Sequence, residues 1–150
     1  MLNRLMIATF VTLGLIAGLA ADVAAQDKPV QLALVNPVQV FKEDTSIKGV
    51  RLNLLYGKNV DMTGLDLGLV NHATGSFQGL QYGVVGYVEG DGFGWQNNVV
   101  NIVNGPFKGL QTGAFNKTGG GKGFQWGLVN YAESFHGFQL AFVNIAEQYE

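Results

Sequence analysis

The sequence of 150 residues contains no cysteine, and charged residues make up only 13% of it. The lack of cysteine excludes a disulfide framework, thiolate zinc and iron–sulfur sites, cysteine catalysis and an acylated N-terminal cysteine anchor. Nine Lys and Arg against eleven Asp and Glu leave a net charge of −2 with no basic stripe, which argues against binding nucleic acid through its phosphates. Histidine is scarce as well, with only two. Soluble domains carry roughly 25% charge, so this much uncharged chain has to be hidden from water or placed against something other than water.

The first feature present is an export signal. MLNRLMIATFVTLGLIAGLAADVAAQ has one early base, Arg4, then an uncharged run from Leu5 to Ala21, then the small residues Val23, Ala24 and Ala25. This pattern predicts a secretory signal-peptide helix over residues 1–25, cut before Gln26. A retained membrane helix is the alternative, because about 17 apolar residues is the lower limit for spanning a bilayer. Residues 26–150 form the expected mature domain, located outside the inner membrane.

That domain is a repeat. GLDLGLVN from Gly64, GLQYGVVG from Gly79, GWQNNVVN from Gly94, GLQTGAFN from Gly109, GFQWGLVN from Gly123 and GFQLAFVN from Gly137 are copies of one unit, 14 or 15 residues apart. Two degenerate copies precede them, PVQLALVN from Pro29 and GVRLNLLY from Gly49, with an insertion containing FKEDTS between the two. A glycine every few residues among Val, Leu and Phe disfavours helix, and EGDG, NGP and KTGGGK are turn sequences. Each unit therefore reads as one strand and one turn, and the domain as all-β.

Both strand faces lack charge. One carries large apolar residues such as Leu65, Leu80, Trp95, Leu110, Phe124 and Phe138; the other carries Gly-x-Gln-x-Gly and then an apolar residue such as Val70 or Val85. The eight frames hold only two charged residues, Arg51 and Asp66, both at the glutamine position and one unit apart. If those strands are neighbours, the two residues form a buried ion pair.

The expected architecture is an eight-stranded up-and-down β-barrel in an outer membrane. A strand from Phe77 to Val88, at about 3.3 Å per residue and a tilt near 45°, spans the apolar band of such a barrel. Its apolar face would meet lipid, and its Gly-Gln-Gly face would line a narrow interior. Asn97 and Thr112, facing lipid near mid-strand, count against it. The alternative is a β-solenoid in which every unit makes one coil and like residues stack in ladders. A directional end, Asn71, Asn101, Asn116, Asn130 and Asn144, favours the solenoid, because strands that alternate in direction need not share it. The palindrome Gly-x-Gln-x-Gly weakens that argument.

Tandem G-[LF]-Q-x-G-[LV]-V-N over residues 29–146 resembles bacterial cell-surface repeat proteins, exported proteins of spirochaetes and other diderm bacteria. The resemblance implies cell-surface or outer-membrane material and brings no catalytic residues. Gly86 in place of asparagine and Asn98 in place of glycine depart from the unit.

No catalytic, cofactor-binding or metal-binding residue is expected. His72 and His136 read as solvent-exposed loop residues without the converging partners a metal needs. Glu133, Ser134 and His136 contain the residue types of a hydrolase, but neighbours on an extended strand point to opposite faces. Glu89-Gly-Asp91 reads as a hairpin turn before a calcium loop, and Gly119 to Lys122 as a flexible turn. Tyr82, Trp95, Phe107, Phe124, Trp126, Phe135 and Phe138 are expected in a core or an interfacial belt before a carbohydrate- or lipid-binding surface. The sequence thus describes a non-enzymatic structural or surface protein, expected to meet outer-membrane lipid or cell-surface components. A solenoid binding a partner or glycan along one face is the alternative, and an outer-membrane lipid hydrolase a remote one.

Overall fold

The computed structural model describes residues 27–149, so the expected signal peptide over 1–25 lies outside the described residues. Nine strands follow one another: β1 (Lys28–Val35), β2 (Val38–Gln39), β3 (Ile47–Asn59), β4 (Met62–Ala73), β5 (Phe77–Val88), β6 (Gly92–Thr112), β7 (Phe115–Trp126), β8 (Val129–Leu140) and β9 (Val143–Tyr149). Except for the short antiparallel β1–β2 pair, every neighbour is parallel, in the order β2-β1-β3-β4-β5-β6-β7-β8-β9. The parallel register places each residue over its repeat equivalent, as in Gly64 beside Gly79, Asp66 beside Gln81 and Asn101 beside Asn116.

This is a β-solenoid, and the expected up-and-down barrel is corrected. A meander must pair successive strands antiparallel, whereas here one unit makes one complete coil and returns in the same direction. The asparagine end recurs because every copy has the same surroundings. Alternation also fails at one place. From Phe77 to Gly83 odd residues point inward, but Val84 and Val85 both lie toward the outside, after which Gly86 and Val88 are buried. Two successive outward residues make a corner, so Val70, Val85 and their equivalents stand outside and do not share the Gln face.

A second corner explains the glycine present in seven coils. Gly49, Gly64, Gly79, Gly94, Gly109, Gly123 and Gly137 all have φ between 119° and 148°, a region L side chains rarely adopt. A Cβ at Gly79 would also collide with the carbonyl oxygen of Gly64, one coil earlier. Backbone approach between rungs therefore requires glycine here twice over.

The interior is built of stacked columns. Ile47, Met62, Phe77, Phe107 and Phe135 form an apolar column beside Ala73, Val88, Val103 and Ala132, all buried. A phenyl ring overfills one rung of about 4.8 Å, and the column answers with Gly92 and Gly121. The rings of Phe107 and Phe135 occupy the space where a Cβ of Gly92 and Gly121 would stand.

The remaining interior is polar and mostly paired. In the glutamine column Gln139 donates to Gln125 (2.6 Å), Gln125 to Gln111 (2.7 Å), Gln111 to Gln96 (2.8 Å) and Gln96 to Gln81 (2.9 Å). In the asparagine column Asn101 donates to Asn116 (2.7 Å), Asn116 to Asn130 (2.8 Å) and Asn130 to Asn144 (3.0 Å). Buried amides are tolerable because nearly every group finds a partner, the interior exceptions among the described residues being Asn53 Oδ1 and Asn98 Oδ1.

The two departures from the repeat compensate each other. Where the asparagine column has Gly57, the Asn53 side chain fills the space; where it has Gly86, the amides of Gln81 and Asn98 do. Asn98 there donates to Gln81 (3.1 Å) and to Asn101 (2.7 Å). The insertion has a role too. Phe41 in that segment donates its backbone N–H to Gln31 Oε1 (2.9 Å) and accepts from Gln31 Nε2 (2.7 Å), closing the first coil.

Candidate functional site

On the segment whose inward positions are glutamines, the large apolar side chains stand outside. One column on the outer face runs Leu65, Leu80, Trp95, Leu110, Phe124 and Phe138, and the next runs Leu52, Leu67, Tyr82, Asn97, Thr112, Trp126 and Leu140. Tyr82 and Trp126 are each 58% exposed, Phe138 57% and Trp95 41%. The Phe124 and Phe138 rings stack with centroids 5.6 Å apart. Past the corner, Leu69, Val84, Val99 and Leu128 continue the apolar exposure. A shallow groove between Leu32, Leu34, Leu52, Leu54 and Leu67 opens on the first coils.

The face has no charged residue, and its central polar groups satisfy one another. Trp95 Nε1 donates to Thr112 Oγ1 (3.0 Å), and that hydroxyl donates to Asn97 Oδ1 (2.9 Å). Asn97 and Thr112 thus cost the apolar face little, although both point outward as the sequence suggested. Soluble monomers rarely expose contiguous apolar patches beyond a few hundred Å², and here such side chains recur on coil after coil.

Among the described residues charge enters the interior at one place. Arg51 and Asp66, both fully buried, meet in a bidentate pair, Nε to Oδ1 and Nη2 to Oδ2, each 2.7 Å. Arg51 Nη1 also donates to the carbonyl of His72 (2.8 Å), and Gln81 donates to Asp66 Oδ2 (2.9 Å). Neighbouring glutamine positions on adjacent coils bring the pair together, as their spacing implied.

His72 is not the exposed loop residue the sequence suggested. It is buried on β4, Nδ1 lying 2.8 Å from the Tyr56 hydroxyl and Nε2 2.8 Å from Glu89 Oε1. Tyr87 packs on the ring at 4.7 Å. Burial pushes the imidazole below its ordinary value, against the pull of the Glu89 carboxylate. In the neutral ring Nε2–H donates to Glu89, and Nδ1 accepts from Tyr56. Burial also raises the Tyr56 phenol. This Tyr–His–Glu chain spans three coils, so no local motif announces it; only the solenoid register could have revealed it.

The other candidates separate. Glu133 and His136 are exposed on β8, and no hydrogen bond joins either to Ser134 among the described residues. The Glu89 carboxylate is turned to His72 and away from any calcium site. Among the described residues no three His, Asp or Glu side chains converge to hold a metal. Of the seven aromatic residues singled out in the sequence, Phe107 and Phe135 belong to the core, and the other five lie on the outer face. No known protein family, curated protein or solved structure matches the chain.

Proposed function

We propose that this chain is an exported, non-enzymatic, surface-attached β-solenoid that docks an amphiphilic component of the cell envelope along its outer face. One observation carries the reading: along the glutamine-bearing segment of each coil the distribution of polarity is reversed. Gln81, Gln96, Gln111 and Gln125 are buried while Tyr82, Trp95, Trp126 and Phe138 are exposed. Area removed from water is the main source of affinity for such a face, at roughly 25 cal/mol per Å². The resemblance to bacterial cell-surface repeat proteins and the export signal in the sequence support the same location. Parallel ladders give a rigid scaffold, and the varied residues on each rung give the contact.

Envelope fractionation of the expressing cell tests this. The chain is expected with envelope membranes, and Trp126→Ala combined with Phe138→Ala is expected to shift it toward the soluble fraction. Recovery of the unaltered chain as a detergent-free monomer with no affinity for envelope material would overturn the proposal.

A further inference from the structure

Two residues ahead of the apolar column, across the glycine corner, runs the column Lys48, Thr63, Gln78, Phe93, Lys108, Lys122 and His136, which contains no carboxylate. The edge that immediately precedes this column carries Asp61, Glu89, Asp91, Glu133 and Glu147, but on the rungs of Lys108 and Lys122 it holds only Asn104, Gly105 and Pro106 or Gly119 and Gly120. Lys108 and Lys122 are direct register partners, both exposed, and neither has a salt bridge among the described residues. Asp91 lines the same shallow cleft as Lys108 without bridging to it. Like charges on adjacent rungs repel, and no carboxylate bridges to either lysine among the described residues.

We infer that the amphiphile is an anionic lipid surface, with the apolar columns in the acyl boundary and Lys108 and Lys122 on headgroup phosphates. This rests on the proposed docking face and adds the sign of its partner. An apolar face rimmed by lysines is the arrangement that binds anionic bilayers. Trp126 and Tyr82 would lie at the boundary, where ring and polar tip are both accommodated. An acidic glycan fits less well, because Trp95, Thr112 and Asn97 spend their hydrogen bonds on one another.

Cosedimentation of the exported chain with two kinds of vesicle decides the matter, one of phosphatidylcholine and one with about a third replaced by phosphatidylglycerol. Tighter binding to the anionic vesicles, weakened by salt, is the expected result. The double variant Lys108→Gln/Lys122→Gln should lose roughly thirty-fold on anionic vesicles and little on neutral ones, whereas Lys117→Gln, outside this column, should change neither. Trp126→Ala should weaken both. Equal binding to the two vesicle types, or no loss in the lysine variant, overturns the inference and leaves the docking face standing. A folded chain that binds neither overturns both, as does retention by an acidic polysaccharide in place of vesicles, or burial of the face in a dimer.

Discussion

The glutamine column is built in two ways. Its C-terminal stretch, Gln96, Gln111, Gln125 and Gln139, repeats one neutral amide, each side chain donating to the one before it. Its N-terminal stretch, Gln31, Arg51, Asp66 and Gln81, replaces the two middle amides with a fully buried ion pair. The same cross-section thus accepts a carboxamide ladder or a salt bridge, provided no donor or acceptor is left alone. The two solutions should differ in how they fail. Losing one amide unpairs two neutral groups, while losing one charge strands the other.

The largest expected effect is therefore in the N-terminal stretch. Arg51→Ala leaves Asp66 buried without its partner and should cost about 3–5 kcal/mol in denaturant unfolding. Converting both residues to glutamine should recover most of that loss by extending the neutral ladder. If the costs of Arg51→Ala and Asp66→Ala simply add in the double variant, the pair does not act as a unit. In the C-terminal stretch Gln111→Ala unpairs Gln96 Oε1 and Gln125 Nε2 and should cost less, about 2–3 kcal/mol. A cost equal to that of Arg51→Ala would erase the distinction.

The paired departures from the repeat allow a finer comparison. Gly86→Asn restores the asparagine column but collides with the Gln81 and Asn98 amides already there, so a loss of about 2 kcal/mol is expected. Asn98→Gly in the same chain should relieve it. A thermal melt showing no relief would mean the two positions are independent.

The smallest effect follows from His72. Its folded-state value lies below the unfolded one, so between the two the unfolded chain binds the extra proton. That contribution to stability is present above about pH 6.5, the ordinary imidazole value, and is lost as pH falls below it. Melting temperature should drop from pH 7.5 to 5.5, and the part due to this group should vanish in His72→Gln. An unchanged pH profile in the variant would assign the drop to other groups. Asp61, held below its ordinary value chiefly by the Ser76 backbone N–H, contributes only at more acidic pH.

These residues also show how much was legible beforehand. The period follows from the repeat, and the side on which glutamine and the large apolar residues fall follows from alternation; the Arg51–Asp66 pairing follows from their one-unit spacing once those strands are neighbours. Strand direction did not follow, because Gly-x-Gln-x-Gly reads the same both ways. The corner at Val84 and Val85 was hidden because two adjacent outward residues break a period of two that the rest of the unit obeys. His72 looked solitary because its partners Tyr56 and Glu89 lie about one coil away on either side, a distance that means contact only after parallel stacking is known.

Asp66 has an effect beyond its own pair. A carboxylate only accepts, so Gln81 must present its N–H to it and leave its oxygen for Gln96; each later glutamine inherits that choice up to Gln139. The asparagine column donates the opposite way, from Asn101 toward Asn144. The amide dipoles of the two columns therefore run antiparallel through the solenoid and largely cancel. One acid near the start of the column fixes the polarity of the whole stack, and the second column keeps that polarity from accumulating at either end.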